Sequence, residues 1–234
     1  MPITVPATGI TTTAMTDAAA LVRLMTWLSP AFPVGAFSYS GGLEQVVSDG
    51  DVRDAATLRD WLSSLLSHGN LWNDAVLFAE AHRSVDAEED LKAVAAFAEA
   101  LAGSAERHRE TMLQGGAFLA AASGWPHPVL DVLGEEAAYP VAVGAVAGGH
   151  GIGAEAALAA FLHAVASNLV SVAIRCGVIG QRDGVAVLAW LEPSVIALAG
   201  RAAGSTLDDL GSATIRAEIA SLRHETLTTR LFRS

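Results

Sequence analysis

The chain has 234 residues, of which 52% are hydrophobic and 17% charged, and its formal net charge is −11. That acidity argues against nucleic acid as a partner, and a single cysteine, Cys176, excludes an internal disulfide framework. So apolar a composition calls for a large core, or for a surface that other chains cover.

The elements follow in chain order. Residues 1–20 are rich in Thr, Pro and Gly, with no basic start and no long apolar core. They read as a flexible leader and not as a secretory signal. Residues 29–44, SPAFPVGAFSYSGGLE, form a glycine- and proline-rich bend that is unusually apolar. Such a loop is packed on its own core or kept for a partner. Leu58, Trp61, Leu62 and Leu65 share a stripe that predicts a helix over 57–67, with Thr57 and Asp60 as its capping pair. Asn73 is expected to cap a second helix through about His82, and Asp86, with Glu89 three residues on, a third that carries Leu91, Val94, Ala98 and Leu101. The next helix is predicted over 105–122. It contains Gly115 and Gly116, each costing about 1 kcal/mol against alanine, which a close helix crossing would recover. Residues 123–128, SGWPHP, read as a turn.

Two helical segments follow, joined by GGHGIG at 148–153. Residues 156–174 carry no Asp, Glu, Lys or Arg and nearly match the length of a bilayer span. They are alanine-rich and include His163, Ser167, Asn168 and Ser171, so a buried central helix is expected and a membrane-embedded protein is the alternative. GQRDG at 180–184 reads as a turn, 185–188 as the one short β candidate, and Pro193 as the first turn of a helix running to Ala203. Ser212 is expected to cap a last helix over 213–225. The sum is an all-α, single-domain bundle of about nine or ten helices.

Catalytic signatures are missing from the sequence. The seven histidines, His68, His82, His108, His127, His150, His163 and His224, form neither HExxH nor a Cys/His cluster. A metal held between chains stays open. No GxSxG surrounds Ser38 or Ser40, and no GxxxxGK[ST] occurs. Cys176 is flanked by apolar residues and reads as an inert core position. AERHRETMLQ is a solvated helix face or a docking face through Arg109, Glu110 and Gln114. Residues 216–234 hold four arginines and two glutamates, a local +2, and end on Leu231, Phe232 and Arg233. An apolar anchor flanked by arginine is a hot-spot composition, and packing within the chain is the rival account.

Five stretches, in order, resemble the urease accessory protein UreF family: SPAFPVGAFSYSGGLE, ERHRETMLQGGAFL, YPVAVGAVAGGHGI, SNLVSVAIRCGVIGQRDG and ASLRHETLTTRLFRS. The likeness spans residues 21–234. It implies an all-α, homodimeric, cytoplasmic and non-enzymatic scaffold. With UreD (also called UreH), such a protein recruits the GTPase UreG to apo-urease for nickel insertion and modulates the GTPase cycle. Nickel and GTP are then handled by partners, with no cofactor, catalytic residue or metal ligand of the chain's own, and neither nucleic acid nor membrane is involved.

By the same resemblance, Pro33, Gly35, Phe37, Ser38, Tyr39, Ser40, Gly42 and Glu44 match the motif facing UreG. Arg109, Glu110, Thr111 and Gln114, with Gln181, Asp183 and Gly184, match further partner-surface motifs. Arg223, His224, Glu225, Arg230, Leu231, Phe232 and Arg233 match the segment associated with UreD, which divides the chain into a leader (1–20), a helical domain (21–224) and a partner-binding tail (225–234). Arg182 and Thr229 depart mildly from the family pattern. Glu44 is expected to offer the GTPase a charge. The competing enzyme class would be a helical protein using His150 or His224 with a carboxylate.

Overall fold

The computed structural model describes residues 12–234, with side chains from residue 18 onward. Eleven α-helices and two short 3-10 turns appear among the described residues, with no strand: α1 Thr12–Trp27, α2 Leu43–Ser48, α3 Ala55–His68, α4 Asn70–Arg83, α5 Glu88–Ala100, α6 Ala105–Ala122, α7 Val129–Leu133, α8 Tyr139–Gly149, α9 Ala154–Arg175, α10 Gln181–Ala203 and α11 Ile215–His224. The 3-10 turns are Ala36–Ser38 and Leu207–Asp209. The fold is all-α, as the periodicity predicts.

α8 is the axis of the packing. Every residue from Tyr139 to Ala147 is buried. Its sequence, YPVAVGAVAGG, is almost entirely small or β-branched, so its neighbours α4 and α6 come close on different sides. α6 reaches the chain that enters α8 through Gly115, where an added Cβ would stand 1.8 Å from the Ala137 carbonyl oxygen. The helix cost of that glycine is offset by this close crossing. α9 and α10 form an antiparallel pair alongside, with Leu158, Phe161, Leu162, Leu169 and Val172 turned inward from α9.

Both α9 and α10 are long and apolar enough to cross a bilayer by length and composition. α9 packs against α2, α4, α8 and α10, which explains its composition by core burial. α10 leaves Val185, Trp190 and Ile196 exposed. One hydrophobic cluster runs from Leu24 to Phe232. The segment 225–234, expected as a separate tail, thus contributes to the same core as the helices.

Local expectations shift in instructive ways. Residues 12–20 of the expected leader belong to helix α1, while 1–11 lie outside the described residues. The capping pair of α3 is Asp54 with Thr57, one turn earlier than Thr57 with Asp60. Asp54 Oδ1 accepts the Thr57 amide at 2.8 Å, and Thr57 Oγ1 accepts the Asp54 amide at 3.2 Å. The Thr57 amide and hydroxyl, both donating to Asp54 Oδ1, hold the Asp54 carboxyl below its usual range. Asn73 does not cap α4, which starts at Asn70; its Oδ1 accepts the Gly211 amide at 2.9 Å instead. Asp86 does not cap α5, whose N-cap is Ala87. α6 keeps its predicted bounds and is capped by Ser104.

The GQRDG segment opens α10 rather than forming a turn, and the β candidate at 185–188 is helical. Pro193 sits mid-helix and exposed, so the carbonyl it leaves without a donor lies on the wet side. α11 starts at Ile215, and Ser212 stays outside it, its Oγ accepting the Thr214 amide at 3.3 Å.

The crossing at Gly115 generates a prediction. Gly115→Ala should destabilise the fold by about 3 kcal/mol, since backbone must move. Gly200→Ala, on the exposed face of α10 with its nearest added contact at 3.5 Å, should be neutral or stabilise by up to about 1 kcal/mol. Urea unfolding of the two variants checks the contrast.

Candidate partner-docking site

The glycine-rich bend and the C-terminal segment meet. Gly42, at φ 81°, precedes α2 and has the α11 backbone against it, an added Cβ falling 3.1 Å from the Ser221 nitrogen. α2 and α11 are thereby brought together, and Glu44 in the first turn of α2 points at the end of α11.

Glu44 is 7% exposed. Its Oε1 accepts the Leu231 amide at 2.7 Å, and its Oε2 accepts the Phe232 amide at 3.1 Å. Oε2 also meets His224 Nε2 at 3.1 Å. His224 has no exposed surface, and its Nδ1 meets Glu106 Oε2 at 2.7 Å. Arg230 closes the set with Nη1 at 2.5 Å from Glu106 Oε1. Glu44 and His224 are buried in this clamp, Glu106 is partly buried, and Arg230 closes it from the exposed side.

The backbones then run side by side. The Arg233 amide donates to the Ser38 carbonyl at 2.8 Å, and the Ser40 amide to the Ser234 carbonyl at 2.8 Å. Ser40 Oγ donates to that same carbonyl. Residues alternate along the segment: Phe232 and Ser234 are buried, Leu231 and Arg233 exposed, the period of an extended chain. Arg175, at the end of α9, donates to the Phe37 carbonyl and stacks its guanidinium 4.2 Å from the Phe232 ring centroid. Asn168 Nδ2 donates to the Tyr39 carbonyl at 3.3 Å.

Deeper in, Ser234 Oγ donates to Glu110 Oε2 at 2.7 Å, and Gln114 Nε2 to Glu110 Oε1 at 3.1 Å. Burial pushes the Glu110 carboxyl above its usual range, against the opposing pull of Arg107 and the Ser234 hydroxyl. Arg107 is itself held by Asp74 at 2.5 Å.

The structure therefore brings Ser38, Ser40, Glu44, Glu110, Gln114, His224, Arg230, Phe232 and Arg233 into one network. It corrects the expectation for Glu44: this carboxylate offers no free charge, because backbone amides and His224 occupy it. Tyr39 and Ser40 are buried too, whereas Pro33 and Phe37 stay exposed, Phe37 at 66%. Arg109 is exposed on α6, and Gln181 and Asp183 are exposed at the start of α10, outside the network. Arg223 pairs with Asp49 at 2.8 Å, and Glu225 accepts the Ala105 amide at 3.1 Å, at the start of α6.

Sequence reading missed Glu106, Arg175 and Asn168. Their hydrogen-bond partners lie more than a hundred residues away along the chain, and no local pattern marks them. Among the described residues no group of three or more His, Cys, Asp or Glu is arranged to hold a metal. Glu44 and Glu106 contact opposite ring nitrogens of His224, so the trio does not converge on one point, and its burial leaves no approach for a substrate.

Two surfaces remain at the rim. Phe37 and Leu231, the latter 63% exposed, flank the closed bend. On α11, Ile215, Ile219 and Leu222 are 66%, 49% and 50% exposed at helical spacing, so this helix turns an apolar stripe outward.

Comparison with known proteins places the chain in a family. A family model described as UreF matches residues 52–192. The chain belongs to the UreF family. It is 64% identical over 215 residues to the urease accessory protein UreF of Rhizobium etli, covering 92% of this chain and 96% of that protein. It is 63% identical over 218 residues to the protein of the same name from Sinorhizobium medicae (93% and 98% covered), and 62% over 216 residues to that of Agrobacterium fabrum (92% and 97%). The bend and the C-terminal segment flank the span matched by the family model, and the Glu44 clamp joins them.

Glu44→Ala leaves two amides and a buried histidine without their acceptor. It should weaken closure of residues 231–234 by roughly 2 kcal/mol, so that the Leu231 and Phe232 amides exchange about 30-fold faster. Exchange-detected mass spectrometry of the C-terminal peptide measures this, with α8 peptides as the unchanged reference.

Proposed function

We infer that this urease accessory protein is a non-catalytic scaffold that joins UreD (UreH) and the GTPase UreG to apo-urease for nickel insertion and modulates the GTPase cycle. The carrying observation is the closed bend. Its polar groups are paired internally, and what it presents outward is apolar side chain on a rigidly held backbone. Rigid aromatic and aliphatic anchors of this kind suit binding to a folded protein.

In this reading Phe37, beside Pro33, faces UreG. Arg109, Gln181 and Asp183 supply exposed polar contacts at further points of the surface. Leu231 and the α11 stripe of Ile215, Ile219 and Leu222 face UreD. Residues buried in the clamp, among them Glu44, Glu110, His224 and Phe232, act through the shape they hold and not by touching a partner. The exposed apolar residues of α1 and α10, including Met25 and Trp190, leave further surface for a homodimer. Nickel and GTP travel on the partners, so the chain itself needs no cofactor. The work is cytoplasmic, away from nucleic acid and membrane.

The test is co-purification with UreD and UreG, with stoichiometry from light scattering. Phe37→Ala is expected to lower retention of UreG at least about tenfold, a loss of roughly 1.4 kcal/mol or more, with UreD still bound and thermal stability unchanged. Ile219→Asp with Leu222→Asp should release UreD. Full retention of both partners by both variants contradicts the assignment of these surfaces.

A further inference from the structure

A second titratable cluster, on the side of the chain carrying α1, is not used by the clamp. The last two turns of α1 are held by Ala20, Leu24 and Trp27 and by one polar tether. Trp27 is fully buried, edge-on to Trp125 at 5.7 Å and to Phe118 at 6.3 Å. One turn earlier, Arg23 Nη1 lies 3.0 Å from His150 Nδ1. Guanidinium can only donate, so Nδ1 is the acceptor and the ring proton sits on Nε2. That N–H donates to the Trp125 carbonyl at 3.2 Å. Neutral His150 thus ties α1 to the loop before α7 with both nitrogens.

Nothing near the ring welcomes a second proton. The charged or titratable groups that face it are Arg23 from α1 and His127 from that loop, the latter with ring centroids 5.2 Å apart. The Trp27 ring covers it at 5.4 Å. No carboxylate hydrogen-bonds to it among the described residues. A proton on Nδ1 would replace the Arg23 hydrogen bond by contact between two cations. Apart from this tether, the described side chains that hold α1 are Leu24 and Trp27, with Ala20 partly buried against the core, while Leu21, Val22 and Met25 face solvent.

We propose that His150 is a proton-operated release for α1: neutral, it ties the helix down, and protonated, it frees the helix and uncovers the aromatic surface of Phe118 and Trp125. Burial, Arg23 and His127 lower the affinity of the ring for a proton below the ordinary 6.5. The sign follows from that direction. The docked state binds the proton less readily than the released state, so docking is full above 6.5 and is lost as pH falls through the lowered value.

Fluorine NMR of the full chain labelled with 5-fluorotryptophan tests this. Between about pH 7.5 and about pH 5, the Trp27 line should move to a solvent-exposed position, while the Trp72 and Trp190 lines stay put. The docked-to-released ratio should fall by no more than about tenfold per pH unit, as one proton requires. H150Q can accept from Arg23 and donate to Trp125 without titrating, and should keep α1 docked throughout. H127Q removes the imidazole that faces the ring and should move the midpoint upward. A Trp27 line indifferent to pH, release in H150Q matching the parent, or an unmoved midpoint in H127Q would each overturn the proposal.

Discussion

A carboxylate taken out of water has to find donors, and Glu44 finds three: two backbone amides and a histidine. The rest of the site depends on that constraint. The donors come from residues 224–232, at the other end of the chain, so satisfying Glu44 folds the C-terminal segment onto the bend. His224 must then be buried as well, which recruits Glu106, which recruits Arg230. Each group added removes the desolvation cost left by the one before it. Breaking such a set at one member is costly because the others stay buried.

Closure also decides what is left for partners. The clamp consumes polar groups and leaves apolar ones outside, namely Phe37, Leu231 and the outward stripe of α11. α11 is an amphipathic helix whose larger apolar residues face away from the core. It buries only Ala220 and His224, so the clamp and the Arg223–Asp49 pair fix its orientation more than hydrophobic burial does. The fold beneath is stiff for a separate reason. α8 is built from small residues, and neighbouring helices come within backbone distance of it.

The helical class and the bounds of α6 were legible because they depend on local periodicity and a Ser104 cap. The β candidate at 185–188 failed for the opposite reason: VAVL favours a strand locally, yet Val187 and Leu191 pack four apart on α10. Pro193 misled in the same region, because a proline on a wet helix face costs less than the packing of a 23-residue helix contributes. Within the site, the bend and the Arg-flanked end stood out as odd stretches, and the rival account, packing within the chain, proved true for Glu44, Tyr39, Ser40 and Phe232. Their mutual contact was not legible. It joins residues 38–44 to 231–234 through single side chains at long separation, and one sequence carries no trace of such pairs.

The central claim is that bend and C-terminal segment are one structural unit. Hydrogen exchange in residues 38–44, compared between the full chain and a chain ending at His224, tests it most directly. The account predicts that the Ser40 amide, which donates to Ser234, and its neighbours lose protection when the last ten residues go, while α4 and α8 exchange as before. Equal protection of the bend in both chains would show that it holds its shape unaided, and would contradict the account.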